Sequence, residues 1–203
     1  LQAGVKLTDG AVPQSGRVAV LDSLAMATLV NANLTLFNPS AAISEQYREG
    51  MFGRNALGVG EWYIDQNRPI HTTGTFTAST PIVNGASQTG ASIVSSGWAS
   101  GATSLKKGDI ITFALTNGVN PESYTDTGRL QQFTITADIS DTAGAITLPI
   151  SPSIITSGQL QTVMNSPANS AAITVWAADP AGGTLATTTS PQSMLFTKDA
   201  FAF

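Results

Sequence analysis

From residue 72 to about residue 178, short runs of β-branched and aromatic residues alternate with turn signals, and little charge interrupts them. Ile110-Ile111-Thr112-Phe113-Ala114-Leu115 is a strong strand, and Ala91 to Val94 a weaker one. Gln131 to Ile139 alternates, with Phe133, Ile135, Ala137 and Ile139 on one face. Thr75 to Thr77, Ala145 to Ile150 and Ala172 to Trp176 complete the set. Asn84-Gly85 is a hairpin-turn dipeptide, because both residues tolerate positive φ. Lys107-Gly108-Asp109 and Asp141 to Gly144 read as turns, and a long loop is expected around Asn117-Gly118 and Pro121. Short strands at this spacing predict a small antiparallel barrel or sandwich. No internal repeat is visible.

The flanks differ. Residues 1–71 hold eleven of the 22 charged residues and the helix signals. A loop with Gly10, Pro13 and Gly16 opens the chain, and Arg17 to Leu21 reads as a short buried strand. Asp22 and Ser23 suit a helix N-cap, since a side-chain oxygen can accept an orphan amide. Met26, Val30, Leu34 and Phe37 then fall on one helical face. Pro39 ends that helix. A second short helix is expected from about Ser40 to Glu49, with Gly50 as its left-handed cap. Gly53, Gly58 and Gly60 lead into Glu61-Trp62-Tyr63-Ile64. Residues 179–203 are a Gly/Thr/Pro-rich link and a short apolar stretch.

Composition removes several functions. There are no cysteines, which excludes disulfide scaffolds, thiolate nucleophiles and Cys-ligated metals. The single histidine, His71, excludes a multi-histidine metal site within one chain. Net charge is −4, and the basic residues are scattered apart from Lys106 and Lys107. A dedicated nucleic-acid binder needs a dense positive face, so that class is disfavoured. No apolar run approaches the roughly 18 residues of a membrane-crossing helix. The first residue is not Met, so either a processed amino terminus or a piece of a longer chain is expected.

No local motif carries chemistry. His71 with Asp65 and a serine could make a triad, but no Gly-x-Ser-x-Gly elbow occurs, and a structural imidazole is the simpler reading. Glu61, Asp65, Glu45 and Glu49 could supply a carboxylate pair. Glu45 and Glu49 lie four apart beside Arg48 and Arg54, so ion pairs explain them better. Gly58-Val59-Gly60 lacks the third glycine and the following helix of a dinucleotide site. Asp138, Asp141 and Gly144 do not match a calcium loop. No catalytic, cofactor or metal site is assigned, and no enzyme activity is expected. Charged residues are 11% of the chain, less than half the usual share of about 25%. Such a surface suits a protein that works by contact.

One ordered series of segments goes further. Ser44 to Gly50, Gly53-Arg54, Gly58, Trp62-Tyr63, Asp65-Gln66-Asn67 and Pro69 to Gly74 come first. Lys107 to Phe113, Gly128 to Ile135, Ile150 to Ile154 and Leu195 to Phe201 follow. In order and spacing they resemble the major capsid (coat) proteins of tailed phages, in the podovirus branch that carries an inserted I-domain. The resemblance covers most of the chain. It implies an α+β fold: an HK97-like capsid core segment with an inserted antiparallel β-barrel domain. Residues 1–73 would belong to the core's axial and peripheral domains, 74–178 to the barrel, and 179–203 to a strand returning into the core.

The resemblance also implies a structural function, self-assembly into an icosahedral shell around double-stranded DNA. The partners implied are other copies of the chain in hexamers and pentamers, scaffolding and portal proteins, and packaged DNA held non-specifically. Assembly would occur in the bacterial host cytoplasm, and the location would be the virion capsid, with no membrane involved. Some relatives carry a charged inter-capsomer loop where residues 84–97 here hold no charge. The stretch from Asn117 to Arg129 is therefore the better polar contact. Arg48, Arg54, Arg68, Glu122, Asp126 and Arg129 are the subunit-interface candidates. Buried arginines among them require carboxylate partners on the same or a neighbouring chain. The principal alternative is a fibre or adhesin module recognising glycan or host protein, with Trp98 and Tyr124 lining a groove.

Overall fold

The computed structural model describes residues 2–33, 58–75, 79–176 and 187–201. In chain order the elements begin with α1 (Gln2–Asp9), β1 (Arg17–Leu21), α2 (Ser23–Asn33), β2 (Glu61–Ile64) and β3 (Ile70–Thr72). Next come β4 (Ile82–Val83), β5 (Gly90–Ser96), β6 (Ser104–Leu105), β7 (Ile110–Val119) and β8 (Asp126–Ile135). The last are β9 (Ile139–Ser140), β10 (Ala145–Ile154), β11 (Ile173–Val175), β12 (Thr189–Pro191) and β13 (Met194–Thr197). The chain divides into two units, Leu1–Ile70 with Pro191–Phe203, and His71–Ser190.

In the first unit β1 is the middle strand of three. It pairs antiparallel with β13, Val18 opposite Phe196, and parallel with β2, Ala19 opposite Trp62. A central strand buries both faces and so reads as a continuous apolar run, as Val18-Ala19-Val20 does. α2 follows where the sequence places it, opened by the Met26 amide on the Asp22 carbonyl at 2.8 Å, with Met26 buried. The expected positions of Leu34 and Phe37 on this helix, and the second helix over 40–49, lie outside the described residues.

The opening loop is corrected: residues 2–9 form α1. That helix has no acidic residue in its first turn and carries Gly4 inside, so the usual start signals are missing. Its end is closed by the Gly10 amide on Lys6 O (3.0 Å) and the Val12 amide on Leu7 O (2.9 Å). Arg17 supplies the rest. It is 3% exposed, yet its guanidinium donates to Gly4 O (3.3 Å), Thr8 Oγ1 (3.1 Å), Val12 O (2.7 Å) and Pro13 O (2.9 Å). A cation at the carboxyl end of a helix also meets the negative end of its dipole.

The second unit is β-rich. Six strands form one antiparallel sheet in the order β11-β7-β8-β10-β5-β4. Its two outer strands meet at a bridge between Ile82 and Ala172. The Val83 amide donates to Ala171 O and the Ile173 amide to Pro81 O, each at 2.9 Å. The sheet is thereby nearly closed into a barrel, which removes open edges. Inward positions are filled by side chains: Ile93, Ile111, Phe113, Phe133, Ile135 and Leu148 are all fully buried. Phe113 and Phe133 meet with ring centroids 5.2 Å apart. A barrel this narrow holds a packed core.

Strand limits differ from the sequence reading at two places. The alternation expected from Gln131 to Ile139 stops at Ile135, where β8 ends; Ala137 is exposed in a bend, and Ile139 begins the separate β9. The expected loop around Asn117-Gly118 is strand: β7 runs to Val119, β8 starts at Asp126, and the loop is 120–125. Asn117 pairs with Leu130 and Val119 with Asp126. The Gln131 side chain lies over Gly118, its Oε1 2.6 Å from where a Cβ would stand, so a larger residue there would displace that amide. Of the expected Thr75-Phe76-Thr77 strand, Thr75 makes a bridge to Ser104, and the other two residues lie outside the described ones.

Candidate functional site

Two places on the barrel unit gather functional chemistry: the neck, where the chain enters and leaves, and the long hairpin of β7 and β8. At the neck, β3 and β12 are hydrogen-bonded neighbours. The Thr73 amide donates to Thr188 O at 3.0 Å, and the hydroxyls of Thr72 and Thr189 meet at 3.1 Å. His71 lies on β3. Its Nε2 meets Asp109 Oδ1 at 2.9 Å, and the Asp109 side chain is 1% exposed. The other carboxylate oxygen accepts the amides of Lys106 (2.8 Å) and Gly74 (3.0 Å).

The Lys107-Gly108-Asp109 turn explains the fit. Gly108 has φ +103°, and a Cβ there would lie 2.9 Å from His71 Cε1 and Nδ1. The turn is tied to the barrel by the Gly108 amide on Ile135 O and the Ile135 amide on Asp109 O, both 2.8 Å. His71 is therefore paired with a carboxylate, but with Asp109 rather than Asp65. The pair is 38 residues apart in sequence, and no sequence pattern signals it.

At the hairpin tip the Asn120 side chain accepts the amides of Glu122 (2.9 Å) and Ser123 (3.2 Å). Asp126 accepts from Asn117 Nδ2 (3.0 Å) and the Gly128 amide (2.7 Å). The Asn117 bond first, then the Gly128 amide, holds the Asp126 carboxyl below the usual carboxylate range. Glu122, Asp126 and Arg129 are all exposed and fall on this one hairpin. Arg68 lies in the other unit. Its Nη2 meets Asp22 Oδ1 at 2.9 Å, its Nε donates to Asp65 O at 3.1 Å, and its side chain is 6% exposed. Arg48 and Arg54 lie outside the described residues.

Sequence reasoning missed a second feature of the hairpin. The β7–β8 register shifts between Thr112 and Asn117. Inside that bulge Leu115 has φ 61° and is 85% exposed. Thr116 beside it is buried with no partner for its hydroxyl. A bulge re-aims side chains, and here it turns a leucine into solvent. Leu130, opposite Asn117, is half exposed, and so is Met164, whose amide donates to Asn117 O at 3.0 Å.

Other places offer less chemistry. A shallow depression of about 310 Å³ is lined by Val94, Ile139, Ile146 and four Ser, Thr or Ala residues, with no ionisable group. Trp98 is not the groove aromatic expected for an adhesin: it is 4% exposed, and its Nε1 donates to Ser95 Oγ at 2.8 Å. Tyr124 is exposed at the hairpin tip. Among the described residues, no helix is long and apolar enough to cross a membrane.

The fold thus defines a class, a packed antiparallel barrel carried as one continuous stretch within another chain unit. No family model matches the chain. No curated protein matches it either. Among solved structures it is similar to the CUS-3 coat protein I-domain, with 20% sequence identity and a TM-score of 0.30, over 55% of this chain and 97% of that chain.

Proposed function

We propose that this chain is a structural subunit of an icosahedral phage shell, with residues 71–190 as an inserted I-domain-like barrel. The observation that carries the reading is the insertion itself. The chain leaves a three-stranded sheet after β2, builds a barrel, and returns to add β13 beside β1. That order agrees with the ordered sequence segments that resemble the podovirus coat branch. The barrel interior is filled with side chains, so its available chemistry is on its surface. Charged residues are only 11% of the chain and the net charge is −4, which favours contact with copies of itself over nucleic acid.

In this reading each subunit binds several neighbours at once, and closure multiplies modest contacts into a stable shell. The mechanism is repeated quasi-equivalent association without chemical turnover. Glu122, Asp126 and Arg129 on the hairpin are the contact residues assigned to the barrel. Arg68, tied to Asp22, supports the first unit from within. Scaffolding and portal proteins are the further partners, and packaged DNA meets a mildly acidic wall that need only tolerate it.

Negative-stain electron microscopy of the protein as isolated from its source tests this. Uniform closed shells tens of nanometres across are the expected result. Small discrete particles under all assembly conditions, with scaffolding protein present, would refute it.

A further inference from the structure

We propose that His71 and Asp109 form a latch that clamps the neck of the barrel unit onto the barrel and opens without unfolding it. Asp109 is the fixed half. Its turn is held by the two backbone bonds to Ile135, its carboxylate keeps the Lys106 amide, and its side chain is 1% exposed. His71 is the moving half. It sits on β3, and its side chain is 20% exposed, so water can reach the ring as the clamp opens.

The neck contributes two of the three bonds to the Asp109 carboxylate, His71 Nε2 and the Gly74 amide, Lys106 giving the third. The next residue, Thr75, is fixed by a reciprocal pair of backbone bonds with Ser104, both 2.8 Å. A Cβ on Gly74 would fall on the Ser104 carbonyl oxygen, so the neck enters the barrel pressed against its wall. Before Gly74, Thr72 bonds to Thr189 and Thr73 to Thr188, and these partners belong to the neck. The geometry is a two-stranded ribbon that enters the barrel at Gly74 and is clamped by one imidazole. Two charges beside the clamp engage each other: Asp138 accepts from Lys106 Nζ (2.9 Å) and also from the Lys107 backbone amide (2.8 Å).

Residue-resolved hydrogen exchange on the full chain tests the latch, comparing wild type with His71→Leu and His71→Gln. In His71→Leu the Gly74 amide is expected to exchange about 10- to 100-fold faster, the effect of losing one hydrogen bond to a charged group. The amides of Ile111, Phe133 and Leu148 are expected to stay within about two-fold of wild type. His71→Gln keeps a donor and is expected to recover part of the Gly74 protection. An unchanged Gly74 rate in His71→Leu would overturn the latch. So would a rise shared equally by the core amides, which would make the pair part of the barrel's cooperative unit. No recovery in His71→Gln would overturn the hydrogen-bond clamp and assign the effect to ring packing on Gly108.

Discussion

Replacing Arg17 by Met removes a guanidinium while keeping the apolar stem. Four acceptors lose a donor: Thr8 Oγ1, Val12 O, Pro13 O and Gly4 O, the last keeping the Thr8 hydroxyl at 3.0 Å. Bonds to a charged group contribute about 1.5–3 kcal/mol each net of exchange with water, but four sharing one buried guanidinium do not add in full. The net loss is then about 2–5 kcal/mol, and it falls on one element. α1 has eight residues, well short of the roughly 12–15 that an isolated helix needs in water. Without Arg17 it has little reason to stay folded. Hydrogen exchange at the Gly10 and Val12 amides reads this directly, since both bond back into α1. An increase of at least about 30-fold is expected, at ten-fold per 1.4 kcal/mol. Arg17→Lys should recover little, because a point ammonium cannot match a planar fork. If Arg17→Met left these amides within about two-fold of wild type, the claim that the guanidinium holds α1 would be wrong.

Phe133→Ala should lower barrel stability by about 3–5 kcal/mol, because it empties a fully buried site against Phe113. For a unit of 120 residues, His71 to Ser190, that is roughly 12–20 °C in Tm; Leu130→Ala on the exposed face should change Tm little, and equal losses would put the core in the wrong place. Asp141 accepts amides from Gly101 (2.9 Å), Gly144 (3.0 Å) and Thr103 (3.3 Å), and the Gly101 and Gly144 bonds hold its carboxyl below the usual 3.8. A depressed carboxyl contributes stability that is full above its unfolded value and is lost as pH falls through the folded one. Urea titrations between pH 5 and pH 2 should therefore show a stability loss below about pH 4 that Asp141→Asn reduces; an identical acid limb in the variant would contradict this.

The sequence was most legible where one element decides its own burial. Arg17 to Leu21 reads as a buried strand because a central strand is apolar on both faces, and it is β1. Phe133 and Ile135 alternate inward as expected. Legibility failed where a distant partner overrides local chemistry. Asn117-Gly118 reads as a turn, but Leu130 pairs with Asn117 and the Gln131 side chain lies over Gly118. α1 is invisible because its stabiliser, Arg17, lies beyond its end in sequence. The barrel join depends on Pro81 to Val83 meeting Ala171 to Ile173, a pairing that no periodicity encodes. Of the candidate site, Glu122, Asp126 and Arg129 could be placed on one polar projection from sequence. The His71–Asp109 pair and the outward turn of Leu115 could not, since each needs a register set by other strands.

The central structural claim is that residues 71–190 are a self-contained barrel carried within another unit. Two-dimensional NMR of this segment alone, overlaid on the spectrum of the full chain, tests it most directly. The account predicts dispersed peaks for Ile111, Phe133, Leu148 and Ile173 that superpose in both, with differences confined to the neck around His71 to Thr73 and Thr188 to Ser190. A collapsed, poorly dispersed spectrum from the isolated segment would contradict it.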